Sequence, residues 1–203
     1  MKDYMDFFIN EEGEIFNYNY CDFNLDKINP GNNLIILYRR TGEEKYKRAL
    51  DQLVAQLKNQ KHNPDGGFWH KAIYPHQMWL DGVYMSSPFM ARYAHEFKEP
   101  AWLDEVVRQI TLIEKHTRDT ESGLLYHAYD ASRGMKWSDD KTGCSPHFWG
   151  RAMGWYMMAM VDALDFFPAD HSGREKIISI LQRTSEALLK VCLLYTSPSP
   201  RDS

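Results

Sequence analysis

Cysteine is scarce: three residues in 203, at positions 21, 144 and 192, with no framework spacing. That excludes a disulfide-stapled secreted module and leaves free thiols in a reducing compartment as the default. No apolar run approaches the ~18 residues a membrane span needs. Neither sign of charge dominates, with 28 acids against 24 bases and a formal −4, so no nucleic-acid or anionic-lipid partner is expected. The opening MKDYMDFF has no charged-then-apolar export pattern, and a cytoplasmic location is the expectation. HExxH, GxSxG, the P-loop and the dinucleotide glycine motif are all missing. Five histidines (62, 70, 76, 127 and 147) cluster in or near long loops, yet no metal-ligand spacing accompanies them. No metal and no cofactor is therefore expected.

Aromatics, by contrast, are plentiful: six Trp, 12 Tyr and 10 Phe. They suit either a ring-stacking sugar surface or an aromatic-packed core, and composition does not separate the two. No segment alternates over strand length, whereas helical spacing recurs in six segments. They cover 30–40, 43–60, 78–97, 101–116, 149–167 and 173–190. The 78–97 and 149–167 stretches are apolar nearly all round; 43–60, 101–116 and 173–190 are one-sided. This is a degenerate repeat of a buried helix, a short turn and an amphipathic helix. The turns are TG, KEP and PADHS, and the links back, 61–77 and 117–148, are long. Buried helices form an inner ring and amphipathic ones an outer ring, with both long loops on one face. The expected fold is all-α, an (α/α)6 barrel; a plain helical solenoid is the alternative. Six such hairpins need roughly 350 residues at this repeat length, so about half a barrel is present.

Residues 192–203 break the pattern, since the preceding helix stops in mid-phase without a Gly or Asn cap. Reverse translation of 192–202 yields a string resembling a transposon-type sequencing adapter. The expected organisation is therefore a partial catalytic barrel over 1–191, cut at both ends, and a non-native tail over 192–203.

Three segments fall at or just before the starts of inner helices: NLDKINPG (24–31), GGFWHKAIYPHQMWLDG (66–82) and HFWGRAMGW (147–155). Each mixes charge with Trp, Tyr or His, as a sugar site requires. Asp81 lies early in an apolar helix. Burial there raises its pKa and suits a general acid, or it simply satisfies first-turn amides. Asp26 reads better as a cap for the helix beginning near Pro30. Arg151, among Trp149, Gly150, Ala152 and Met153, reads as a buried cation holding a substrate carboxylate or an internal partner, Asp26 or Asp81. Trp149 and Trp155 are six apart and do not share a face, so one stacks on ligand while the other packs. His70 and His127 suit hydrogen bonds to sugar hydroxyls.

At these segments, and at the loop His of GLLYHAYD, the sequence resembles glycoside hydrolase family 105, the unsaturated rhamnogalacturonyl hydrolases. More distantly it is similar to the unsaturated glucuronyl hydrolases of family 88. The resemblance covers most of 1–191. It implies the (α/α)6 barrel and a substrate oligosaccharide whose terminal uronic acid carries a C4=C5 double bond. It implies Asp81 as the residue that protonates C4 and activates water, with Asp26 assisting. His70, His127, Trp149, Arg151 and Trp155 are implied to line the sugar pocket. The chain by itself is expected to be inactive. Alternatives are a glucuronyl hydrolase acting on glycosaminoglycan fragments, a sugar epimerase on a related barrel, and a non-catalytic carbohydrate-binding toroid.

Overall fold

The computed structural model describes residues 1–191, so the expected tail at 192–203 lies outside the described residues. Its frame is three antiparallel helical hairpins preceded by an N-terminal arm. The arm holds α1 (Lys2–Asp6) and two single turns, Tyr20–Asp22 and Leu25–Lys27. The hairpins are α2 (Gly31–Thr41) with α3 (Glu44–Lys58), α4 (Leu80–Phe97) with α5 (Ala101–Thr117), and α6 (Gly150–Leu164) with α7 (Arg174–Leu189). Between them lie two three-residue strands, β1 (Gln77–Trp79) and β2 (Ala128–Asp130). Among the described residues no helix is long and apolar enough to cross a membrane.

Every helix expected from the 3.6-residue period is present, with ends within a few residues. The first hairpin turns at Gly42, whose φ of 68° closes α2 in the left-handed region. Lys98 does the same after α4 at φ 60°. Helix α4 is central: it packs against α2, α6 and its hairpin partner α5. Its Leu80, Phe89, Met90 and Ala91 are fully enclosed, which is why its sequence carries almost no polar stripe. The outer helices show wet faces. They are joined where Glu114 of α5 receives Arg183 of α7 at 2.6 Å and Arg118 at 2.7 Å. Tyr156 of α6 donates to the Ile110 carbonyl of α5 at 2.8 Å. The arm is anchored by buried Lys45, which pairs with Asp6 at 3.0 Å and Glu11 at 2.9 Å.

Pro88 sits inside α4 and has no N–H to offer the Tyr84 carbonyl one turn earlier. Asn29, from the segment before α2, fills the gap: its Nδ2 donates to Tyr84 O at 3.2 Å. The broken ladder of the central helix is thus mended by the segment that leads into the first hairpin.

The absence of strand-length alternation is corrected in one detail. β1 and β2 pair antiparallel, Gln77 opposite Asp130 and Trp79 opposite Ala128. Three residues are too few for a period-2 signal, and the pairing exists only because both long loops lie on one face.

Candidate active site

The β1–β2 ladder runs straight into the head of α4 and sets the site. Trp79 ends β1 in extended backbone and is the residue before the helix. The Leu80 N–H then donates to the His127 carbonyl at 3.0 Å. With the backbone of His127 fixed there, its Nε2 reaches Asp81 Oδ2 at 2.9 Å. Asp81 is buried in the first turn of α4. Its other oxygen, Oδ1, lies 3.9 Å from an Arg151 Nη1, too long for a hydrogen bond.

Arg151 and Trp149 come from the start of α6. The Arg151 guanidinium lies over the Trp149 ring at 3.8 Å from its centroid, and Trp149 meets His127 edge-on at 4.9 Å. A backbone bridge between Tyr126 and Phe148 ties this loop to the segment that carries His127 into β2. Asp81, His127, Trp149 and Arg151 therefore form one connected group drawn from two helix heads and one loop.

A second group lies beside it. The Leu25 N–H donates to the His70 carbonyl at 3.1 Å, and the Ala72 N–H to the Asp22 carbonyl at 2.9 Å, which clamps the 61–77 loop onto the arm. Asp26 thereby pairs with Lys71 at 2.7 Å and with His70 Nε2 at 3.2 Å. Trp79 is stacked on His70 at 4.4 Å and on Tyr74 at 5.1 Å, so one indole separates the two groups.

Four sequence expectations change here. Burial does push the Asp81 carboxyl up, but the His127 hydrogen bond and the Arg151 charge outweigh it and hold it below the usual carboxylate range. Asp26 caps no helix: α2 starts from Pro30 without a side-chain cap. Burial opposes its charge, yet His70 and Lys71 hold it down to about 2. Arg151 is not buried; its side chain is 56% exposed, because Gly150 and Gly154 beside it meet no neighbouring atoms. His70 is only 2% exposed, lying under Trp79 with Nδ1 against Gly82, where an added Cβ would come within 2.8 Å. It faces Asp26 rather than open space. The two tryptophans divide as their spacing requires: Trp149 is 40% exposed, while Trp155 packs on Tyr84 at 4.7 Å.

Lys71 and Tyr74 were missed as site residues. Both sit inside the GGFWHKAIYPHQMWLDG segment, but only the clamp between loop and arm brings Lys71 to Asp26. Among the described residues no group of three or more His, Cys, Asp and Glu is placed to hold a metal ion.

Comparison with known proteins fits this geometry. The family model for Glycosyl Hydrolase Family 88 matches residues 1–192. A glycoside hydrolase from family 105 of C. acetobutylicum, of known structure, superimposes with a TM-score of 0.91 at 48% identity, covering 94% of this chain and 53% of its own. The unsaturated rhamnogalacturonyl hydrolase YesR of Bacillus subtilis is 24% identical over 173 residues, 82% of this chain and 48% of its own length. A protein of Agrobacterium fabrum, Atu3128, is 37% identical over 91 residues, 45% of this chain and 39% of its own. The chain thus spans about half the length of these relatives or less. A match over all the described residues, joined to a site that brings Asp81, His127 and Arg151 together, places the chain in glycoside hydrolase family 88, alongside the family 105 enzymes.

Proposed function

We propose that the protein removes a terminal unsaturated uronyl residue, carrying a C4=C5 double bond, from an oligosaccharide, with Asp81 as its acid and base. The observation that carries this reading is the joining of Asp81 to His127 at 2.9 Å beside an exposed Arg151 laid over Trp149. Arg151 is not satisfied by Asp81 at 3.9 Å, and a planar, exposed guanidinium suits a bidentate uronate carboxylate. Trp149 supplies an aromatic face for the sugar ring.

The chemistry needs one proton on carbon and one water at the neighbouring carbon. Protonated Asp81 gives its proton to C4, and positive charge develops at C5, shared with the ring oxygen. Water adds to C5 as the Asp81 carboxylate takes a proton from it, which restores the acid. The resulting hemiketal opens and releases the remaining sugar, with one water consumed. His127 donates through Nε2 to Asp81, so in the neutral ring Nδ1 is an acceptor, available to a sugar hydroxyl. Asp26 assists from behind Trp79, through His70 and Lys71.

In the free protein Asp81 is ionised at neutral pH, which at first sight disfavours an acid. A bound uronate supplies the opposing effects: its negative charge occupies Arg151 and its bulk excludes water, and both raise the pKa of Asp81. Rhamnogalacturonan fragments are the proposed substrate, supported by the likeness to YesR, and 1–191 are read as three of six hairpins of the barrel. A glucuronyl hydrolase is the second reading, separated by assays on rhamnogalacturonan and chondroitin disaccharides.

The test is an Asp-to-Asn exchange at the position matching Asp81 in a full-length relative. Loss of the double bond's ultraviolet absorbance is expected to slow by about 10²–10⁴-fold, the contribution of a positioned acid–base group. Near-wild-type rates would sink the assignment. Unchanged sugar affinity with no turnover in either protein would favour the non-catalytic toroid.

A further inference from the structure

The Tyr126–Phe148 bridge has two faces, because side chains alternate along paired backbone. His127 and Trp149 lie on the Asp81 side. On the other side Tyr126 and Phe148 stack at 4.6 Å, and Tyr126 also borders a cavity of about 580 Å³ that includes Trp137, Thr120, Asp119, Asp139 and Arg118. This is within the size range of small-ligand sites.

The loop that builds the cavity is well supported. Buried Asp130 accepts from the Ser132 and Met135 N–H groups, both at 2.9 Å, at its start. Asp139 accepts from the Thr142 N–H at 2.7 Å near its far end.

What is left free in the cavity defines its ligand. All three guanidinium nitrogens of Arg118 already donate, to Glu114, the Gly123 carbonyl and Thr184. His116, which also lines the cavity, is engaged through Nε2 with Asp65 at 2.7 Å, so neither basic side chain of the lining is left unpaired. Asp119 uses Oδ2 for Ser122, and Asp139 uses Oδ1 for Lys141 and Thr142. Each has its second oxygen open. Trp137 Nε1–H and the Tyr126 hydroxyl have no hydrogen-bond partner among the described residues. Open carboxylate oxygens accept from vicinal hydroxyls, an indole face stacks on pyranose C–H groups, and both carboxylates repel a uronate.

We propose that this cavity is a second saccharide site, selective for a neutral pyranose over an acidic one. It rests on the proposed function only in that such a residue belongs to a longer chain whose unsaturated end reaches Asp81. A neutral sugar held behind the loop would then add affinity to substrates long enough to cross the rim at Phe148.

The chain labelled with 5-fluorotryptophan tests this by fluorine NMR. The Trp137 resonance is assigned as the one missing from Trp137→Phe, and methyl α-rhamnopyranoside and methyl α-galacturonide are titrated separately. The expected result is a saturable shift of Trp137 with the neutral sugar and none with the acidic one at equal concentration. In Trp137→Ala, saturation-transfer from protein to the neutral sugar is expected to weaken about tenfold in affinity. No Trp137 shift, or an equal shift with galacturonide, overturns the proposal. The Trp149 resonance, read in the same spectra with an unsaturated uronide, reports the Asp81 site separately.

Discussion

At the scale of single residues, the informative departure is Asp81. Sequence places it among Trp79, Leu80, Gly82 and Val83 and so suggests an elevated pKa. Folding brings His127 from 46 residues away to within 2.9 Å, and the direction reverses. The consequence is testable in a full-length relative through its pH profiles. If the protonated form is the reactive one, activity falls as pH rises through this pKa. The kcat/KM profile reports the free protein, where the value is depressed, and kcat reports the complex, where the uronate raises it. The basic limb of kcat is therefore expected at higher pH than that of kcat/KM. Coincident limbs would show that substrate does not perturb this group.

The same reasoning holds for Asp26 at the level of stability. Its folded value, about 2, lies below the ordinary aspartate value near 4. The stability it contributes is full above that ordinary value and is lost as pH falls through about 2. Because the side chain is 39% exposed, the effect is screened, and Asp26→Asn is expected to narrow the gap to wild type as acid is added. An equal gap at pH 7 and pH 2 in urea titrations would contradict the pairing.

At the scale of elements, α4 joins the three hairpins, and its weak point is Pro88. Removing the Asn29 amide takes from the Tyr84 carbonyl its side-chain donor among the described residues, which for a partly buried group costs about 1–3 kcal/mol. Pro88→Ala returns a peptide N–H to that carbonyl. Asn29→Ala is accordingly expected to destabilise the chain when Pro88 is kept and to be nearly neutral when combined with Pro88→Ala, a coupling read from urea midpoints. Equal costs in both backgrounds would show that Asn29 matters for another reason. Helix positions were legible in sequence because burial on one face and a 3.6-residue period are local properties. The mending of Pro88 was not, since nothing in NLDKINPG distinguishes a residue that donates to a helix 55 positions onward.

At the scale of the whole molecule, the three hairpins leave α6 with an apolar edge. Met158 is 45% and Val161 50% exposed, on the same stripe as Arg151. Apolar side chains aligned this way favour association. The chain is expected to self-associate with rising concentration, and a Met158→Lys, Val161→Lys double variant to shift it toward monomer in sedimentation velocity. A monomeric wild type over the same range would show that this edge is too small to matter.

Sequence by itself determined the hairpin repeat, the all-α class and the three segments that build the site, because periodicity, turn residues and aromatic–charge mixtures are written along the chain. Tertiary structure alone decided who meets whom. Asp26 became an ion-pair partner instead of a cap, His70 went under Trp79, and Arg151 came to lie open over Trp149. Each of those outcomes depends on two long loops pairing across the same face. A carboxylate's charge state is set by what stands within a few ångströms of it, and for Asp81 that neighbour arrives from 46 positions away.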